Sequence, residues 1–351
     1  MKVFHCDHCR ALLFFENTHC VKCNYVLAYV PELERVAALE AAGESLWRIP
    51  VTELAARRYR LCDNYSQQNV CNWALPADSA QRLCESCSLT RVIPNLQVAG
   101  SREAWFKLEA AKRRLVYTLL GLHCPVRSRE EDSERGLAYE FRGADDGSGP
   151  VLTGHADGVI TVNIAEADDA NREQQRVRLH EPYRTLLGHF RHESGHYYWQ
   201  LFIDGQPRLA AFRALFGDEG TDYGAALQRH YDTGPPEDWQ QRFVSAYAAA
   251  HPWEDWAESW AHYLHMTDLL ETAAAHGLRL QPTRTDEPAM GKARSGAGEP
   301  FDLLLQNWYP LTYVLNNLNR SMGLPDGYPF VLPAPAIAKL RFVHETIASS
   351  A

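Results

Sequence analysis

The chain has 351 residues, of which 46% are hydrophobic and 23% are charged. This composition is typical of a soluble globular protein and, at this length, of two domains. The formal net charge of −9 argues against a general nucleic-acid binder, because neutralising phosphates requires a basic face. The first residues lack the apolar run of a secretory signal, and no segment approaches the roughly 18 uninterrupted apolar residues of a membrane span. We therefore expect a cytoplasmic protein without membrane contact.

One basic run interrupts the acidic composition, with five arginines between Arg172 and Arg191. Glutamates alternate with these arginines. We interpret the run as a solvated helix face rather than as a nucleic-acid surface.

The amino-terminal quarter of the chain contains eight of the nine cysteines. In a protein expected to be cytosolic, clustered cysteines indicate metal binding rather than disulfides. The first four form two Cys-x-x-Cys pairs, each of which can bind a metal from a tight turn. Their spacing predicts a four-thiolate zinc site in a zinc ribbon, with the ligands Cys6, Cys9, Cys20 and Cys23.

The next four cysteines have a less regular spacing, with one tight pair and one open pair. We interpret them as a second tetrathiolate zinc site, with the ligands Cys62, Cys71, Cys84 and Cys87. A redox Cys-x-x-Cys is one alternative, but no thioredoxin-like pattern of strand and helix surrounds the pair. A mixed site is another alternative, and it would recruit one of His5, His8 and His19. The ninth cysteine, Cys124, stands alone and is expected to be a small buried apolar residue.

Hydrophobic periodicity predicts the secondary structure around these clusters. A helix is expected from Pro31 to Ala42, because proline suits the first turn and Gly43 follows the last. A longer helix is expected from about Arg102 to Leu122 and opens a second domain. The ribbon domain then covers residues 1–95 and the second domain residues 100–351.

Further along the chain, residues 159–164 alternate as a β-strand does, and this strand is expected to pack in a small sheet against the helix that follows. The stretch from Gln281 to Pro300 is rich in proline, glycine, serine and charge. It predicts a loop or a mobile flap. A helix is expected again from Phe301 to Asn319.

Residues His192 to His196 form the pattern His-Glu-x-x-His. Apolar residues at helical spacing precede it and place it on a helix. Two imidazoles four residues apart lie on one helix face, so both can bind one zinc ion, and Glu193 beside them can act as a general base. A ligand pair of His189 and His192 is an alternative, but Glu193 would then lose its role.

A catalytic zinc site needs a third protein ligand, and the segment from His251 to His265 contains Glu254 and Glu258, one helical turn apart. On a helix that faces the first, Glu254 could complete the zinc site. Glu258 would accept a hydrogen bond from the other nitrogen of a ligand imidazole. Neighbouring tryptophans would pack this helix against the core. An ordinary solvated glutamate pair is the alternative.

The segments His192-Glu-Ser-Gly-His-Tyr-Tyr-Trp199 and Glu254-Asp-Trp-Ala-Glu258-Ser-Trp-Ala-His262-Tyr resemble those of the gluzincin metallopeptidases. The resemblance is closest to the bacterial family named "putative zinc-binding metallopeptidases", which carry an amino-terminal zinc ribbon. It extends over nearly the whole chain and includes both cysteine sets. It implies an α+β, zincin-like domain, with a small mixed sheet and active-site helices, preceded by a small cysteine-rich zinc-ribbon domain.

The resemblance also implies roles for single residues. In gluzincins the first glutamate of the later helix binds zinc and the second supports a ligand histidine, and these positions hold Glu254 and Glu258. Glu193 matches the general base. In the anthrax lethal factor branch, a tyrosine seven residues before the ligand glutamate assists the transition state, and Tyr247 holds this position. Tyr247 or a nearby histidine would stabilise the oxyanion. The chain departs from some gluzincins at Trp253, where they have asparagine.

Two hypotheses of function follow. The first is a zinc peptidase with one catalytic and two structural zinc ions, whose ribbon domain recruits a peptide or protein substrate or a protein partner. The second is a non-cleaving interaction protein, whose ribbons bind a protein or, less in keeping with the charge, a nucleic acid. All the residue types that hydrolysis requires are present, which favours the enzyme. Removal of the residues before about Arg102 is expected to leave a folded remainder with one zinc ion.

Overall fold

The computed structural model describes residues 1–54, 56–143, 151–178 and 183–350. It combines helix and sheet, with a cysteine-rich region of short strands followed by a mainly helical region that contains a second sheet. The predicted class is therefore confirmed. Within the described residues, the helices are too short or too polar to cross a membrane.

The cysteine-rich region consists of short strands and two single-turn helices. The strands are β1 (Phe4–His5), β2 (Leu12–Leu13), β3 (Val26–Val30), β4 (Arg35–Gly43), β5 (Leu46–Arg48), β6 (Tyr59–Leu61), β7 (Ala74–Pro76) and β8 (Thr90–Val92), and the helices are α1 (Asp63–Ser66) and α2 (Glu85–Ser88). β1 and β2 pair with each other, and β3 to β7 form an antiparallel sheet in chain order. α1 begins directly after Cys62 and α2 directly after Cys84.

The predicted helix from Pro31 to Ala42 is wrong. Only Pro31–Leu33 forms a helical turn, of the 3-10 type, and the chain then continues into β4. β4 lies between β3 and β5, and its residues 36–39 are all buried. A strand that is buried on both faces has a continuous apolar run, which periodicity cannot distinguish from a short buried helix.

The second region contains the long helices and three further strands. These elements are α3 (Ser101–Gly121), β9 (Ala138–Arg142), β10 (Gly154–Ala156), β11 (Val159–Asn163), α4 (Asp169–Arg178), α5 (Leu186–Phe202), α6 (Leu209–Phe216), α7 (Tyr223–Thr233), α8 (Pro252–Ala275), α9 (Phe301–Ser321) and α10 (Ala334–Ala348). The predicted helices at residues 102–122 and 301–319 and the strand at 159–164 are confirmed to within two residues. The stretch 281–300 lies outside helices and strands, as predicted, and a bridge joins Leu280 to Met290.

The second sheet is mixed and has the strand order β10-β11-β9-β8. β9 is parallel to both β11 and β8, whereas β10 is an antiparallel edge strand. Phe190 of α5 packs on this sheet, with ring centroids 5.6 Å from Tyr139 and 6.2 Å from Phe141 of β9. The sheet therefore supports the helix that carries the His-Glu-x-x-His pattern. β8 comes from the cysteine-rich region, so the two regions share this sheet.

α3 packs between the two regions. Trp105, Leu108 and Leu115 are buried, and the Tyr117 ring lies 5.2 Å from the Phe15 ring and 5.7 Å from the Tyr29 ring of the cysteine-rich region. A single cluster of buried hydrophobic residues extends from Phe4 to Ile347. The two regions therefore have a common core.

The basic run from Arg172 to Arg191 is only in part a solvated face. Arg176 forms an ion pair with Glu173 (2.7 Å) at the surface of α4, as expected. The interpretation is wrong for Arg191, which is buried and forms an ion pair with Asp268 of α8. A buried charge needs such a partner, because removal from water is costly.

Candidate active site and metal centres

The candidate active site lies between α5 and α8. Thr185 precedes α5, and its Oγ1 accepts a hydrogen bond from the Gly188 N–H (3.0 Å). Pro252 occupies the first turn of α8, and Nδ1 of the preceding His251 accepts a hydrogen bond from the Trp253 N–H (3.1 Å). Side-chain acceptors at the cap and proline in the first turn both favour helix initiation. Each helix therefore starts at a defined point shortly before its site residues.

The two variable positions of the His-Glu-x-x-His pattern determine how closely the helices approach. A Cβ atom on Gly195 would lie 2.8 Å from Ala257 Cα, so glycine permits this approach. Trp256 Nε1 donates a hydrogen bond to the Gly195 carbonyl (2.8 Å), and Trp260 Nε1 donates one to Ser194 Oγ (3.1 Å). Both indoles are fully buried, which confirms that tryptophans pack this helix against the core.

Three metal-binding atoms converge between the helices. His192 Nε2 lies 3.3 Å from His196 Nε2 and 3.0 Å from Glu254 Oε2, and His196 Nε2 lies 3.6 Å from the same oxygen. Bonds from zinc to nitrogen and carboxylate oxygen are about 2.0–2.2 Å long, so two ligand atoms of a tetrahedral ion lie roughly 3.3–3.6 Å apart. The three observed distances fit this geometry within a few tenths of an ångström.

Glu254 has the properties of an anionic ligand. Its side chain is 1% exposed, and its Oε2 accepts no hydrogen bond from the described residues. Burial opposes its ionisation, yet the nearby imidazoles of His196 and His192 hold the pKa of Glu254 well below its ordinary value. A buried carboxylate with an unpaired oxygen is stabilised by a cation. The residues present therefore fit a zinc ion.

Three side chains outside this cluster hold its ligands in position. Glu258 Oε1 accepts a hydrogen bond from His192 Nδ1 (2.7 Å), and Ser245 Oγ donates one to Glu258 Oε2 (2.6 Å). The Tyr223 hydroxyl donates a hydrogen bond to Glu254 Oε1 (2.7 Å). Contacts of this kind fix the orientation of metal ligands. They leave His192 Nε2 and Glu254 Oε2 facing the convergence point.

Glu193 and Tyr247 lie next to the cluster without being part of it. Glu193 is half-buried, and no described residue forms a hydrogen bond or ion pair with its carboxylate. The Tyr247 ring lies 5.8 Å from the His192 ring, in the turn just before α8. Burial and the charge of Glu254 raise the pKa of Tyr247, so its hydroxyl keeps its proton at neutral pH. The alternative pair of His189 and His192 is not formed, because His189 Nδ1 contacts Glu166 at 3.1 Å.

α7 and β10 also form walls of the site, and nothing in the sequence pattern indicated either of them. Tyr223 begins α7, and the His230 ring of the same helix lies 5.8 Å from the Tyr247 ring. The His155 ring of β10 is nearly parallel to the His196 ring, with centroids 6.3 Å apart. These residues are far in sequence from both motifs and have no characteristic spacing. Only the fold brings them to the site.

The first four cysteines also come together. Cys6 Sγ lies 3.6 Å from Cys23 Sγ, and Cys9 Sγ lies 3.5 Å from Cys20 Sγ. Since bonds from zinc to thiolate are about 2.3 Å long, the sulfurs of a tetrahedral site lie roughly 3.8 Å apart. The cluster fits a four-thiolate zinc site. Among the described residues, neither cysteine cluster includes a histidine.

The second cysteine cluster is completely buried. Cys71 Sγ lies 3.7 Å from Cys84 Sγ, and the Cys87 N–H donates a hydrogen bond to Cys84 Sγ (3.4 Å). Arg113 of α3 is buried and donates a hydrogen bond to the Val70 carbonyl. Burial alone would lower the pKa of Arg113. The charges of Cys71 and Cys87 outweigh this effect, so the pKa is raised above its ordinary value. This guanidinium offsets the negative charge of a tetrathiolate site and ties it to α3.

Comparison with known proteins agrees with this geometry. Residues 101–346 match the sequence model of a family described as "Putative zinc-binding metallo-peptidase", and residues 3–98 match that of a zinc-ribbon domain. The chain is 44% identical to the uncharacterized proteins Rv2568c of Mycobacterium tuberculosis and Mb2598c of Mycobacterium bovis, over 99% of this chain and 95% of each relative. No solved structure matches the chain. The protein thus belongs to the "putative zinc-binding metallo-peptidase" family and carries an amino-terminal zinc ribbon.

Proposed function

We propose that the protein is a zinc-dependent peptidase of the gluzincin type, with one catalytic and two structural zinc ions. In this proposal His192, His196 and Glu254 bind the catalytic ion, and the two cysteine clusters bind the others. The observation that carries the proposal is the convergence of the three ligand atoms at distances of 3.0–3.6 Å. The unpartnered carboxylate of Glu193 beside them supports catalysis in addition to metal binding.

Glu193 is the general base of the proposed reaction. Zinc, when bound, supplies Lewis acidity, which lowers the pKa of water to about 7 and polarises a carbonyl group. Glu193 accepts the proton of the attacking water, since no other group of the described protein occupies its carboxylate. It then passes this proton to the leaving nitrogen, so that one peptide bond and one water give a carboxylic acid and an amine, which together ionise to a carboxylate and an ammonium group.

Tyr247 is the proposed hydrogen-bond donor to the carbonyl oxygen as negative charge develops there. The Tyr223 hydroxyl already donates a hydrogen bond to Glu254, whereas the Tyr247 hydroxyl keeps its proton and Tyr247 lies beside His192. A donor of this kind lowers the barrier by ~3 kcal/mol. Glu258 positions His192 and does not contact the substrate.

The proposed substrate is a peptide or protein, and the ribbon region would recruit either the substrate or a protein partner. A cytoplasmic location belongs to the same proposal. It is supported by the nine free cysteines, because four-thiolate sites require reduced sulfur.

The variant Glu193→Gln tests the proposal. It is expected to abolish peptide cleavage while the zinc content and melting temperature stay at their wild-type values, because residue 193 acts on water and does not bind the metal. Cleavage of a labelled peptide library, with and without chelator, measures the first effect, and elemental analysis measures the zinc content.

Glu345→Gln, which changes an exposed glutamate of α10, is the matched control and should cleave normally. Wild-type cleavage rates in Glu193→Gln would contradict the proposed mechanism. A wild-type protein that cleaves nothing in a broad library would favour the non-cleaving interaction protein.

A further inference from the structure

A cavity lies between the cysteine-rich region and the carboxyl-terminal half of α3. Its volume is about 760 Å³, within the range of roughly 300–1,000 Å³ that is typical of ligand pockets. On one side it is lined by residues of β3, β7 and α2, and on the other by residues of α3, α8 and the loop that follows α3. None of its described lining residues belongs to the candidate active site.

The lining of this cavity, here termed the acidic cleft, is strongly negative. Its described lining residues include a single lysine, Lys2, and the six glutamates Glu32, Glu34, Glu85, Glu130, Glu131 and Glu271. Clefts that carry one sign of charge concentrate the electrostatic field and attract ions of the opposite sign.

Cations within the protein compensate only some of these carboxylates. Lys2 pairs with Glu34, the Met1 amino group pairs with Glu271 (3.1 Å), and Arg57 pairs with Glu32 (3.2 Å). For the other three, Glu85, Glu130 and Glu131, the described residues supply no ion pair. Glu131 Oε2 accepts hydrogen bonds from the Ser128 N–H (2.8 Å) and the Ser128 hydroxyl (3.1 Å), so the carboxylates of Glu85 and Glu130 are the ones that remain available to a cationic ligand.

Tyr29 provides a second, independent observation. It lines the cleft, its residue is only 2% exposed, and its hydroxyl forms no hydrogen bond with the described residues. Burial, together with the charges of Glu34, Glu271 and Glu85, raises the pKa of Tyr29. The hydroxyl is not one of the fully enclosed polar atoms that lack a partner, so it opens on the cleft and can hydrogen-bond to a molecule there. A ligand group in the cleft would provide a hydrogen-bond partner.

We propose that the acidic cleft binds an arginine side chain of a peptide segment. A guanidinium group is planar, presents several donors and pairs with carboxylates through two parallel hydrogen bonds. Leu75, Leu83 and Leu120 also line the cleft, and they suit the methylene groups of the arginine stem. This proposal does not depend on peptide cleavage.

Binding is tested with the zinc-loaded full-length chain in the Glu193→Gln form, so that the probe is not hydrolysed. The probe is a fluorescein-labelled peptide with two arginines spaced by glycines, and fluorescence anisotropy gives its Kd. A peptide with citrulline at both positions keeps the shape but lacks the charge. We expect it to bind at least tenfold more weakly.

Two sets of substitutions, each added to the Glu193→Gln form, test whether the peptide binds in the acidic cleft. Glu85→Gln with Glu130→Gln should raise the Kd about tenfold. Tyr29→Phe, which removes only the hydroxyl, should raise it roughly threefold. The control Glu44→Gln with Glu237→Gln removes two exposed charges outside the cleft and should leave the Kd unchanged. The glutamate variants keep the test decisive if Tyr29→Phe does not fold.

Equal binding of the arginine and citrulline peptides would overturn the proposal, and so would equal losses in the cleft and control variants. Free arginine and spermidine carry the same cationic chemistry without a peptide. If either compound displaces the probe at a concentration at or below the Kd of the probe, the proposal that the cleft binds a peptide segment is overturned. Displacement only at much higher concentrations supports it.

Discussion

Glu254 and Glu258 have the same chemistry and lie one turn apart, yet their surroundings assign them different tasks. Glu254 Oε2 faces the two imidazole nitrogens, whereas Glu258 accepts hydrogen bonds from His192 Nδ1 and Ser245. We predict that Glu254→Ala loses the catalytic zinc and all activity. Glu258→Ala should bind this zinc about 10- to 100-fold more weakly. Zinc titration against a competing chelator measures the zinc affinity of both variants. A weaker affinity in Glu258→Ala than in Glu254→Ala would contradict the ligand assignment.

The two site tyrosines allow a matched comparison, because each variant loses one hydroxyl. Tyr223→Phe removes the hydrogen bond to Glu254 and should weaken binding of the catalytic zinc about tenfold. Tyr247→Phe should keep zinc affinity and lower kcat roughly 100-fold. Chelator competition and steady-state kinetics separate the two effects. Equal zinc affinities in the two variants would show that Tyr223 does not position the ligand.

The residues of the site differ in how far the sequence could predict them. The pairs His192 with His196 and Glu254 with Glu258 have a spacing of one helical turn, which predicts a common face without knowledge of the fold. Tyr223 reaches Glu254 from another helix. No local pattern encodes such a contact, because it depends on how α7 packs beside α8.

At the scale of helices and strands, the contact of α5 with α8 determines whether the ligands meet. Gly195→Ala would place a Cβ atom 2.8 Å from the Ala257 backbone, so we predict a loss of about 1–3 kcal/mol of unfolding free energy and weaker zinc binding. Gly121→Ala is the control, since it also lies in a helix but meets no atom within 4 Å. It should be neutral or stabilising by about 0.5 kcal/mol. Denaturant titration of both variants gives the comparison.

Long helices were predictable because periodicity persists over many turns, as in α3 and α9. β4 was not predictable, because its four consecutive buried residues do not show the alternation of apolar and polar residues that identifies a strand. Its alanines favour a helix by intrinsic propensity, but pairing with β3 and β5 overrides that preference.

At the scale of the whole molecule, the ribbon region and the peptidase region are joined by more than a linker. β8 belongs to the mixed sheet, and Arg113 of α3 is buried against the second cysteine cluster. The sequence alone suggested that residues after about Arg102 fold without the ribbon, but the shared core favours the opposite outcome. We predict that a fragment of residues 100–351 shows no cooperative thermal transition, whereas the full chain unfolds in one.

Differential scanning calorimetry of the fragment and of the full chain measures this difference. Two separated transitions in the full chain, or a cooperative transition in the fragment, would contradict it. The control is a full chain with chelator added, which should shift the single transition to lower temperature, because bound zinc stabilises only the folded state.

The placement of Arg113 in the shared core has a consequence for a cell with little zinc. An unloaded second cysteine cluster carries less negative charge beside this buried cation, in the middle of the helix that supports α5. The folded state of the peptidase region then weakens together with the ribbon. Metal scarcity would thus destabilise both regions together, rather than leave the candidate active site folded without the ribbon.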